Sequence, residues 1–583
     1  MIQALSRFIP ILTWGRAYSR RDLPGDLTAG LITAIMLVPQ AMAYAMLAGL
    51  PPQVGLYASI APPIVYGIFG SSRALAVGPV AIASLMTATA LSAVSAPGSP
   101  DYVANALVLS LLIGLMLLAL GAARAGFLVN FLSHPVISGF TSAAAILIVI
   151  SQIKHLLGID IPRGESIATV VNAARHAAEA NMATLAISAG ALAILLLMRA
   201  PLAALLKRLG VAPFAVQLIT RSSPLLAVIL GIAVTAGWRL AETSGVAIVG
   251  AIPGGLPPLT IPSADLSLWS ALLPSAALIA FVSYLESVSV AKALAAKRRQ
   301  KIDADQELIG LGAANLAGAF TGASPVAGGF ARSMVNFAAG AATPLASILT
   351  ALLLAVSVLF LTPLFRYLPQ AVLAATIVVA VVQLVDARSF QRTWQYNRAD
   401  FVAQAGTFLV VLAAGVETGI ITGIAVSLLL YLWRSSRPHF AVVGQVGDTE
   451  HYRNVKRHTV RTDPAVLLFR IDENLYFPNA GYLQDSLRAE VAGNPEITDV
   501  VLICSSVSLI DASALDTLEE LHQTLRDAGV TLHLAEVKGP VMDRLQRTSF
   551  IHDLAPGRVF LSTHDAVRHL RERLYADPYG SAI

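Results

Sequence analysis

The feature that most constrains this chain is a series of apolar stretches, each long enough to cross a lipid bilayer, that recur between Leu27 and Leu432. A helical span needs about 20 predominantly apolar residues. Hydrophobic residues make up 56% of the 583 residues and charged residues only 13%, whereas ordinary soluble domains are about 25% charged. The sequence therefore predicts a polytopic α-helical membrane protein.

The apolar stretches form about fourteen candidate transmembrane segments, arranged in two sets of seven. The first set lies near residues 27–48, 53–69, 78–94, 104–122, 136–153, 182–199 and 224–240. The second set lies near residues 272–294, 308–321, 331–341, 345–362, 369–385, 401–416 and 418–433.

The basic residues test this topology independently. If the N-terminal segment, residues 1–25, is cytoplasmic, the connections richest in Lys and Arg fall on the same side, including Arg73, Arg124 and the run at 297–301. Such an excess is typical of cytoplasmic loops. An even number of segments returns the C-terminus to the cytoplasm. The net charge of +5 is thereby explained by orientation in the membrane, and no nucleic-acid partner is expected.

Two candidate spans are short and begin in an unusual way. The third starts at "AVGPVAIASLM" and the tenth at "GASPVAGGFARSMVNFAAG", so they hold corresponding positions in the two sets. Short segments interrupted by Gly and Pro in matching halves indicate a transporter binding site. A helix that begins near the bilayer midplane presents unpaired N–H groups and the positive end of its dipole, which favours an anion. Pro79 suits the first turn of such a helix.

The alternative is that these glycines only allow close helix packing and that Pro79 only kinks a helix. The occurrence of interrupted segments at matching positions and the presence of Arg332 favour the interpretation as a binding site. An arginine at membrane depth is costly and normally faces a polar cavity or a partner.

Two further polar positions belong to the same hypothesis. Gln40 and Tyr44 lie one helical turn apart on the first span, although a glutamine in a span also serves as a hydrogen bond between helices. Glu286 lies near the middle of the eighth span. An ionisable group there is expected to be neutralised by a proton or paired with a cation, so H⁺ or Na⁺ is the expected coupling ion.

The composition changes after about residue 440. Runs such as "ITDVVLICSSVSLIDASALDTL" alternate strand-type and amphipathic helical patterns, which predicts a small soluble α/β domain. We place it at residues 440–575, after a transmembrane domain at 26–435. The single cysteine, Cys504, excludes an intrachain disulfide and offers no pair for a metal or redox motif.

The stretches "DLTAGLITAIMLVPQAMAYAMLAGLPPQVGLY" and "ESVSVAKALAAKRRQKIDADQELIG" resemble the SulP sulfate-permease family, and the resemblance covers nearly the whole chain. It implies a membrane domain of seven-plus-seven inverted repeats, divided into a core and a gate, that works as a homodimer. It assigns Glu286 to proton or cation coupling. It assigns anion binding to Gln40, Tyr44, Val80, Ala81, Phe330, Ala331, Arg332 and Ser333. Val80 and Ala331 depart from animal relatives, which often have Phe and Ser there, so the resemblance leaves ligand selectivity open.

The C-terminal region resembles a STAS domain, the module shared with anti-sigma-factor antagonists. Its "SLIDASALDTL" matches the loop in which those antagonists carry a phosphorylated serine, and Ser513 falls on that position. A serine at a loop-to-helix junction is equally an N-cap or helix-start residue, and we favour that interpretation over a regulatory phosphosite. The domain is expected to serve dimer contacts, trafficking or regulation through cytoplasmic partners.

The resulting hypothesis is a secondary active transporter of a small inorganic anion, sulfate first, in a bacterial inner membrane, by alternating access. Bicarbonate, chloride and dicarboxylates remain alternative substrates. A passive anion channel is disfavoured because a passive pore does not require a titratable group such as Glu286 in its core. A signalling receptor is disfavoured because the sequence contains no kinase, cyclase or DNA-binding segment. No Ser-His-Asp spacing, metal cluster or P-loop appears, so neither an enzyme nor a bound cofactor is expected.

Overall fold

The computed structural model describes residues 8–131, 133–160, 166–198 and 200–575. The first seven residues of the predicted N-terminal segment therefore lie outside the described part of the chain. The chain divides into two compact units, Met1–Ser427 and Leu428–Ile583.

The first unit is almost entirely helical. The helices of its first half are α1 (Ile11–Trp14), α2 (Leu23–Leu47), α3 (Pro52–Tyr57), α4 (Ala61–Phe69), α5 (Ala81–Ser92), α6 (Pro100–Ala122), α7 (His134–Leu157), α8 (Ser166–Arg175), α9 (Met182–Leu197), α10 (Ala200–Arg208), α11 (Pro213–Arg221), α12 (Ser223–Gly237) and α13 (Leu240–Thr243). Those of its second half are α14 (Leu266–Lys297), α15 (Ala304–Phe320), α16 (Phe330–Ala338), α17 (Leu345–Phe360), α18 (Gln370–Val381), α19 (Ala387–Tyr396) and α20 (Arg398–Ser436), of which the residues from Leu428 onward belong to the second unit.

Six helical stretches of the described residues are long and apolar enough to span a membrane, if Gln370–Tyr396, which joins α18 and α19, counts as one stretch. The number is seven if the bent pair Met182–Leu197 and Pro201–Arg208 also counts as one span. Other predicted segments are broken or short. The second is divided between α3 and α4, and α20 contains a non-helical residue, Gly415, with φ 88°. The prediction of membrane helices is confirmed, whereas the number of crossings stays a prediction.

The two short half-helices predicted at the third and tenth positions are present as α5 and α16. Each follows a two-residue strand, β1 (Val77–Gly78) and β2 (Ala327–Gly328). These strands pair antiparallel, with Val77 opposite Gly328 and Gly78 opposite Ala327. The starts of the two half-helices are therefore held together by backbone hydrogen bonds.

Two buried carboxylates tie loops to helices at one end of this unit. Asp26, in the first turn of α2, accepts the N–H groups of Ala342 and Thr343 at 2.7 and 3.0 Å. Glu307 accepts the Tyr66 hydroxyl at 2.7 Å and the Ser71 N–H at 2.8 Å. Both carboxylates are fully buried, and hydrogen bonds to charged acceptors are the stronger kind. They fix the loops that precede β1 and α17.

The second unit is built on a six-stranded sheet in the order β4-β3-β5-β6-β7-β8. Its strands are β3 (Phe440–Gln445), β4 (Tyr452–Asn454), β5 (Val466–Ile471), β6 (Asp499–Ile503), β7 (Thr531–Ala535) and β8 (Val559–Phe560). Its helices are α21 (Ala480–Gly493), α22 (Ala512–Asp527), α23 (Gly539–Leu545), α24 (Phe550–Asp553) and α25 (Thr563–Tyr575).

Strand β3 pairs antiparallel with β4 and β5, and the remaining pairs are parallel. Helices α21 and α22 pack on one face of the sheet and α25 packs on the other. Burial on both faces explains why β6 is continuously apolar after its first residue. The predicted α/β fold of this region is confirmed.

Candidate functional site

The candidate site lies where α5 and α16 begin. The N-cap residues of these helices, Val80 and Gly329, supply no side-chain cap. Because the first N–H groups of an α-helix have no partner within the helix, two sets of donors and two positive helix ends converge here. The strand pair β1–β2 holds them in place.

Arg332, in the first turn of α16, lies across this strand pair. Its Nε donates to the Ala76 carbonyl at 3.1 Å, its Nη1 to the Pro79 carbonyl at 3.2 Å and its Nη2 to the Ala327 carbonyl at 3.4 Å. The side chain is only 2% exposed. Among the described residues, no carboxylate forms an ion pair with it. Carbonyl dipoles therefore hold the guanidinium without cancelling its formal charge.

Two glycines make room for the guanidinium. A Cβ on Gly78, whose φ is +155°, would lie 3.2 Å from both terminal nitrogens of Arg332. A Cβ on Gly329 would lie 3.2 Å from Nη2 of the same side chain. The Gly-Pro and Gly-Gly pairs of the sequence thus permit a close approach between backbone and guanidinium, in addition to interrupting the spans.

Ser333 is turned away from the pocket. It is fully buried, and its Oγ accepts the N–H of Ala76 at 2.9 Å. Its side chain therefore fastens the loop before β1, and its assignment to anion binding stays a prediction that this position does not favour.

The other predicted binding residues surround one cavity. It has a volume of about 430 Å³ and is lined by Gln40, Tyr44, Pro79, Val80, Ala81, Ile82, Glu286, Gly329, Phe330, Ala331, Arg332, Ala380, Val381 and Leu384. Residues from five helices of both halves, α2, α5, α14, α16 and α18, thus meet here, and they include the residues to which the resemblance assigns binding. Their role in binding stays a prediction.

Gln40 gives the cavity an adjustable polar group. Its Nε2 donates to the Tyr44 hydroxyl at 2.9 Å, and its buried Oε1 has no hydrogen-bond partner. An amide and its flipped form are nearly indistinguishable in such a position, and a phenol can donate as well as accept. The flipped amide would accept from Tyr44 and direct its NH₂ group into the cavity, which suits an anion.

Glu286 lines the same cavity from α14. Its buried Oε2 has no hydrogen-bond partner. The carboxyl group also borders a second, mainly apolar cavity of about 790 Å³, which includes Phe140, Ser289 and Phe330. Glu286 thus brings an acidic group with an unsatisfied oxygen to the cavity that Arg332 also lines, and its role in proton or cation coupling stays a prediction.

A wider vestibule of about 1590 Å³ adjoins the cavity and shares Gln40, Phe330, Ala331, Ala380 and Leu384 with it. It continues past Met36 on α2 and Ala338 at the end of α16. The residues after α16 bind Asp26 near the start of α2. The cavity therefore opens toward the end of the unit at which α2 begins.

Sequence reasoning did not identify the polar residues that support the strand pair. Ser287 Oγ accepts the Gly328 N–H at 2.8 Å, and Asn315 Oδ1 accepts the Val326 N–H at 3.0 Å. Asn336 Nδ2 donates to the Ala74 carbonyl at 3.1 Å. Their signal was a lone polar residue in an apolar span, which is weak because such residues also serve general helix packing.

In the second unit, Ser513 is exposed at the second position of α22. The N-cap is Asp511, whose carboxylate accepts the Ala514 N–H at 2.8 Å. The hydroxyl of Ser513 is thus accessible and is not the cap. Its modification stays a prediction.

Two family models match the chain. The sulfate permease family matches residues 23–407 and the STAS domain matches residues 457–566. The chain is 37% identical over 581 residues to Sulfate transporter 4.1, chloroplastic, of Arabidopsis thaliana, covering 97% of this chain and 83% of that protein.

Solved structures show the same fold. The murine Solute Carrier 26 family member A9 anion transporter in the inward-facing state has a TM-score of 0.88 at 24% identity, covering 98% of this chain and 95% of that chain. The transmembrane domain of a cyanobacterium bicarbonate transporter, BicA, has a TM-score of 0.60 at 22% identity, covering 69% of this chain and 98% of that chain.

The sequence match extends through both half-helices and the pocket between them, and the relatives are transporters rather than enzymes. The predicted resemblance is confirmed: the chain belongs to the sulfate permease family of multi-pass anion transporters and carries a C-terminal STAS domain.

Proposed function

We propose that this protein transports sulfate, bound as the dianion between the starts of α5 and α16, and couples its movement to a proton. The observation that carries the proposal is the convergence of two uncapped helix starts on a cavity with a buried arginine that has no carboxylate partner among the described residues. Helix starts of this kind bind sulfate and similar anions through N–H groups and the dipole. Relatives named as sulfate transporters support this choice.

Glu286 is proposed to provide the coupling. An ionised carboxylate lining the cavity would oppose a dianion, whereas a protonated one would leave Arg332 and the two helix ends as the dominant charges. Proton uptake and anion binding would therefore favour each other. Sodium bound at Glu286 would neutralise it in the same way and is the alternative coupling ion.

The experiment is uptake of labelled sulfate into proteoliposomes under an imposed pH or sodium gradient. Wild-type uptake is expected to rise under an inward proton gradient, because protonation of Glu286 accompanies sulfate binding. Glu286→Gln should still bind sulfate but lose the response to the gradient. Glu242→Gln, which changes an exposed glutamate outside the cavity, is the matched control.

The outcomes separate the alternatives. Stimulation by a sodium gradient alone would replace the proton by sodium. Wild-type uptake that ignores both gradients, or an unaltered response in Glu286→Gln, would exclude coupling through this residue. Stronger competition from bicarbonate, chloride or a dicarboxylate than from unlabelled sulfate would change the substrate.

We propose that transport proceeds by alternating access, with a core that includes α2, α5, α14 and α16 moving against the remaining helices. The vestibule supports one accessible state, in which the cavity opens toward the start of α2. That end also carries the loop with Arg299 and Lys301, and an excess of basic residues is typical of the cytoplasmic side.

The same charge distribution supports cytoplasmic N- and C-termini. A bacterial inner membrane is the proposed location, with membrane lipid around the apolar helices. A homodimer, with further cytoplasmic partners bound through the STAS domain, is the proposed assembly. Cross-linking in native membranes tests the dimer, and a monomer under all conditions would exclude it.

A further inference from the structure

Positive charge is concentrated in the segment that connects the last membrane helix to the STAS domain and forms its first two strands. Residues 434–461 contain six Arg and Lys residues and only two acidic residues, so this short segment carries most of the net charge of +5. The basic residues are Arg434, Arg437, Arg453, Lys456, Arg457 and Arg461. Basic clusters directly after a membrane helix are typical of segments that bind anionic lipid.

The fold of the STAS domain gathers part of this charge around one pocket of about 830 Å³. The lining comes from the connection before β3, from the edge strand β4 with the turn that follows it, and from β5. The lining residues are His439, Arg453, Asn454, Arg457, His458 and Arg470. No acidic residue is among the described residues of this lining, so the pocket offers a ligand only basic and neutral side chains.

The charges of the pocket are only partly neutralised. Arg470 and His439 both contact the carboxylate of Asp472, at 2.6 and 2.7 Å. Arg453 and Arg457 are exposed, and neither forms an ion pair within the described part of the chain. A guanidinium offers five N–H donors in a planar fork that matches the oxygen atoms of a phosphate group. Two such forks are therefore available to a phosphate.

The turn after β4 gives this side of the pocket a defined backbone. The N–H groups of Arg457 and His458 both donate to the Asn454 carbonyl, at 3.0 and 3.1 Å, and the Lys456 N–H donates to Asn454 Oδ1 at 2.8 Å. Because the backbone is already ordered, less conformational entropy is lost when the side chains bind a ligand. The pocket is thus an ordered site rather than a flexible basic tail.

The pocket lies close to the membrane surface. The apolar part of α20 ends at Trp433, which is exposed, and exposed Trp is typical of the level at which a span meets the lipid headgroups. His439 follows six residues later, a reach of at most about 20 Å. Arg437 stacks on the Trp433 ring at 4.4 Å. The end of α20 is also fastened to the STAS domain, since Asn479 donates to the Ser435 carbonyl at 3.4 Å.

We propose that this pocket binds the phosphate headgroup of an anionic phospholipid in the leaflet where α20 ends, with Arg453 and Arg457 as the main contacts. The same chemistry recognises a free phosphate, but the short, fastened connection to the membrane favours the lipid. The bound lipid holds the STAS domain at the membrane surface. This inference goes beyond sulfate transport and does not depend on which anion is carried.

The competing explanation is that these arginines are attracted to any anionic surface without forming a defined site. Two other exposed arginines of the same domain provide the comparison, Arg526 on α22 and Arg544 on α23. Neither lines the pocket. The double variant Arg526→Gln/Arg544→Gln therefore removes the same amount of charge as Arg453→Gln/Arg457→Gln but leaves the pocket intact, which makes it the matched control.

The test uses the full chain in nanodiscs of phosphatidylcholine that contain a rising mole fraction of phosphatidylglycerol, in sulfate-free buffer. An uncharged, environment-sensitive fluorophore is attached at Lys456→Cys, which lies beside Arg457 without lining the pocket. Cys504 is buried and should stay unlabelled in every variant, which shows that the domain is folded. The fluorescence change is expected to saturate with phosphatidylglycerol, and Arg453→Gln/Arg457→Gln should raise the half-saturating mole fraction at least about tenfold.

The control variant should respond to phosphatidylglycerol like the parent protein. An equal shift in both double variants, or no response of the parent protein to phosphatidylglycerol, would overturn the proposed site. The same fluorescence change caused by inorganic phosphate in discs without phosphatidylglycerol would assign the pocket to a soluble oxyanion instead of a lipid. Because no sulfate is present, none of these outcomes bears on the proposed transport function.

Discussion

Two buried charges, one in each unit, are held in opposite ways. Asp499, on β6 of the STAS domain, accepts hydrogen bonds from His533 at 3.0 Å, from Thr498 at 2.8 Å and from Arg573. Arg332, in the membrane unit, is held by carbonyl groups alone and borders a cavity. A buried charge is costly unless it is paired. Asp499, whose charge is paired, therefore has a structural role. Arg332, which has no counterion among the described residues, is available to bind a ligand.

The largest expected effect follows from removing the unpaired charge. Arg332→Ala is predicted to weaken sulfate binding and transport by about 100-fold or more, since the loss of a desolvated charged partner costs about 2–5 kcal/mol. Labelled-sulfate binding to purified protein measures it. Arg299→Ala, in an exposed loop, should bind sulfate like the wild type, and equal losses in both variants would point to general surface electrostatics.

The paired charge, Asp499, should instead govern the stability of the STAS domain. The Nδ1 of His533 accepts the Arg558 N–H at 3.1 Å, so its Nε2 donates to Asp499. Asp499→Asn weakens this hydrogen bond and leaves Arg573 without its carboxylate partner. Because Arg573 is partly exposed, we expect a loss near the lower end for broken buried pairs, about 3 kcal/mol. The KM for sulfate of the folded protein should not change.

The rate of thiol labelling at Cys504 measures this loss of stability in the full-length protein. It is the single cysteine, and burial raises the pKa of its thiol to about 12, so the folded STAS domain should resist thiol labelling. Asp499→Asn is predicted to accelerate labelling at neutral pH by about 100-fold. Asp448→Asn removes a highly exposed partner of Arg461. It should not accelerate the labelling, because such surface ion pairs contribute little to the free energy of unfolding.

The pH dependence of this contribution has a defined sign. Burial by itself raises the pKa of Asp499, but the hydrogen bonds from His533, Arg573 and Thr498 outweigh it and lower the pKa. A carboxylate with a lowered pKa in the folded state stabilises it above the unfolded value of about 4 and loses that effect as the pH falls through the folded value. Asp499→Asn should abolish this acid-dependent part of the unfolding free energy.

The smallest expected effect comes from disturbing Arg332 indirectly. Gly78→Ala would bring a Cβ to 3.2 Å from the guanidinium, and we expect sulfate affinity to fall about tenfold as the side chain shifts, since local strain of this kind costs about 1–3 kcal/mol. Gly98→Ala is the control, because Gly98 also has a positive φ, of +86°, but has no atom within 4 Å of the added Cβ. Equal sulfate affinity in the two variants would show that Gly78 serves the backbone only.

Local patterns in the sequence predicted much of the site. Pro79, the Gly-Gly pair before Phe330 and the isolated Arg332 are exceptions within apolar spans, so they stand out without any knowledge of the fold. Ser333 could not be resolved in this way. Whether its hydroxyl faces the cavity or the loop before β1 depends on how α16 is rotated about its axis. In the structure the hydroxyl faces the loop and accepts the N–H of Ala76.

The polar residues that support the strand pair could not be identified by the same reasoning. Asn315 and Ser287 are ordinary polar interruptions until the fold brings Val326 and Gly328 to them.

The sequence by itself determined that this chain is a membrane protein, that two half-helices hold matching positions, and that an α/β domain follows, because hydropathy, helix breakers and strand patterns act over a few neighbouring residues. Only the tertiary structure decided what those half-helices hold. Two of the three carbonyls that hold Arg332 belong to the first half of the unit, one of them 256 positions away, and the vestibule exists only between packed helices. Contacts between distant segments depend on how whole helices pack, and local composition does not contain that information.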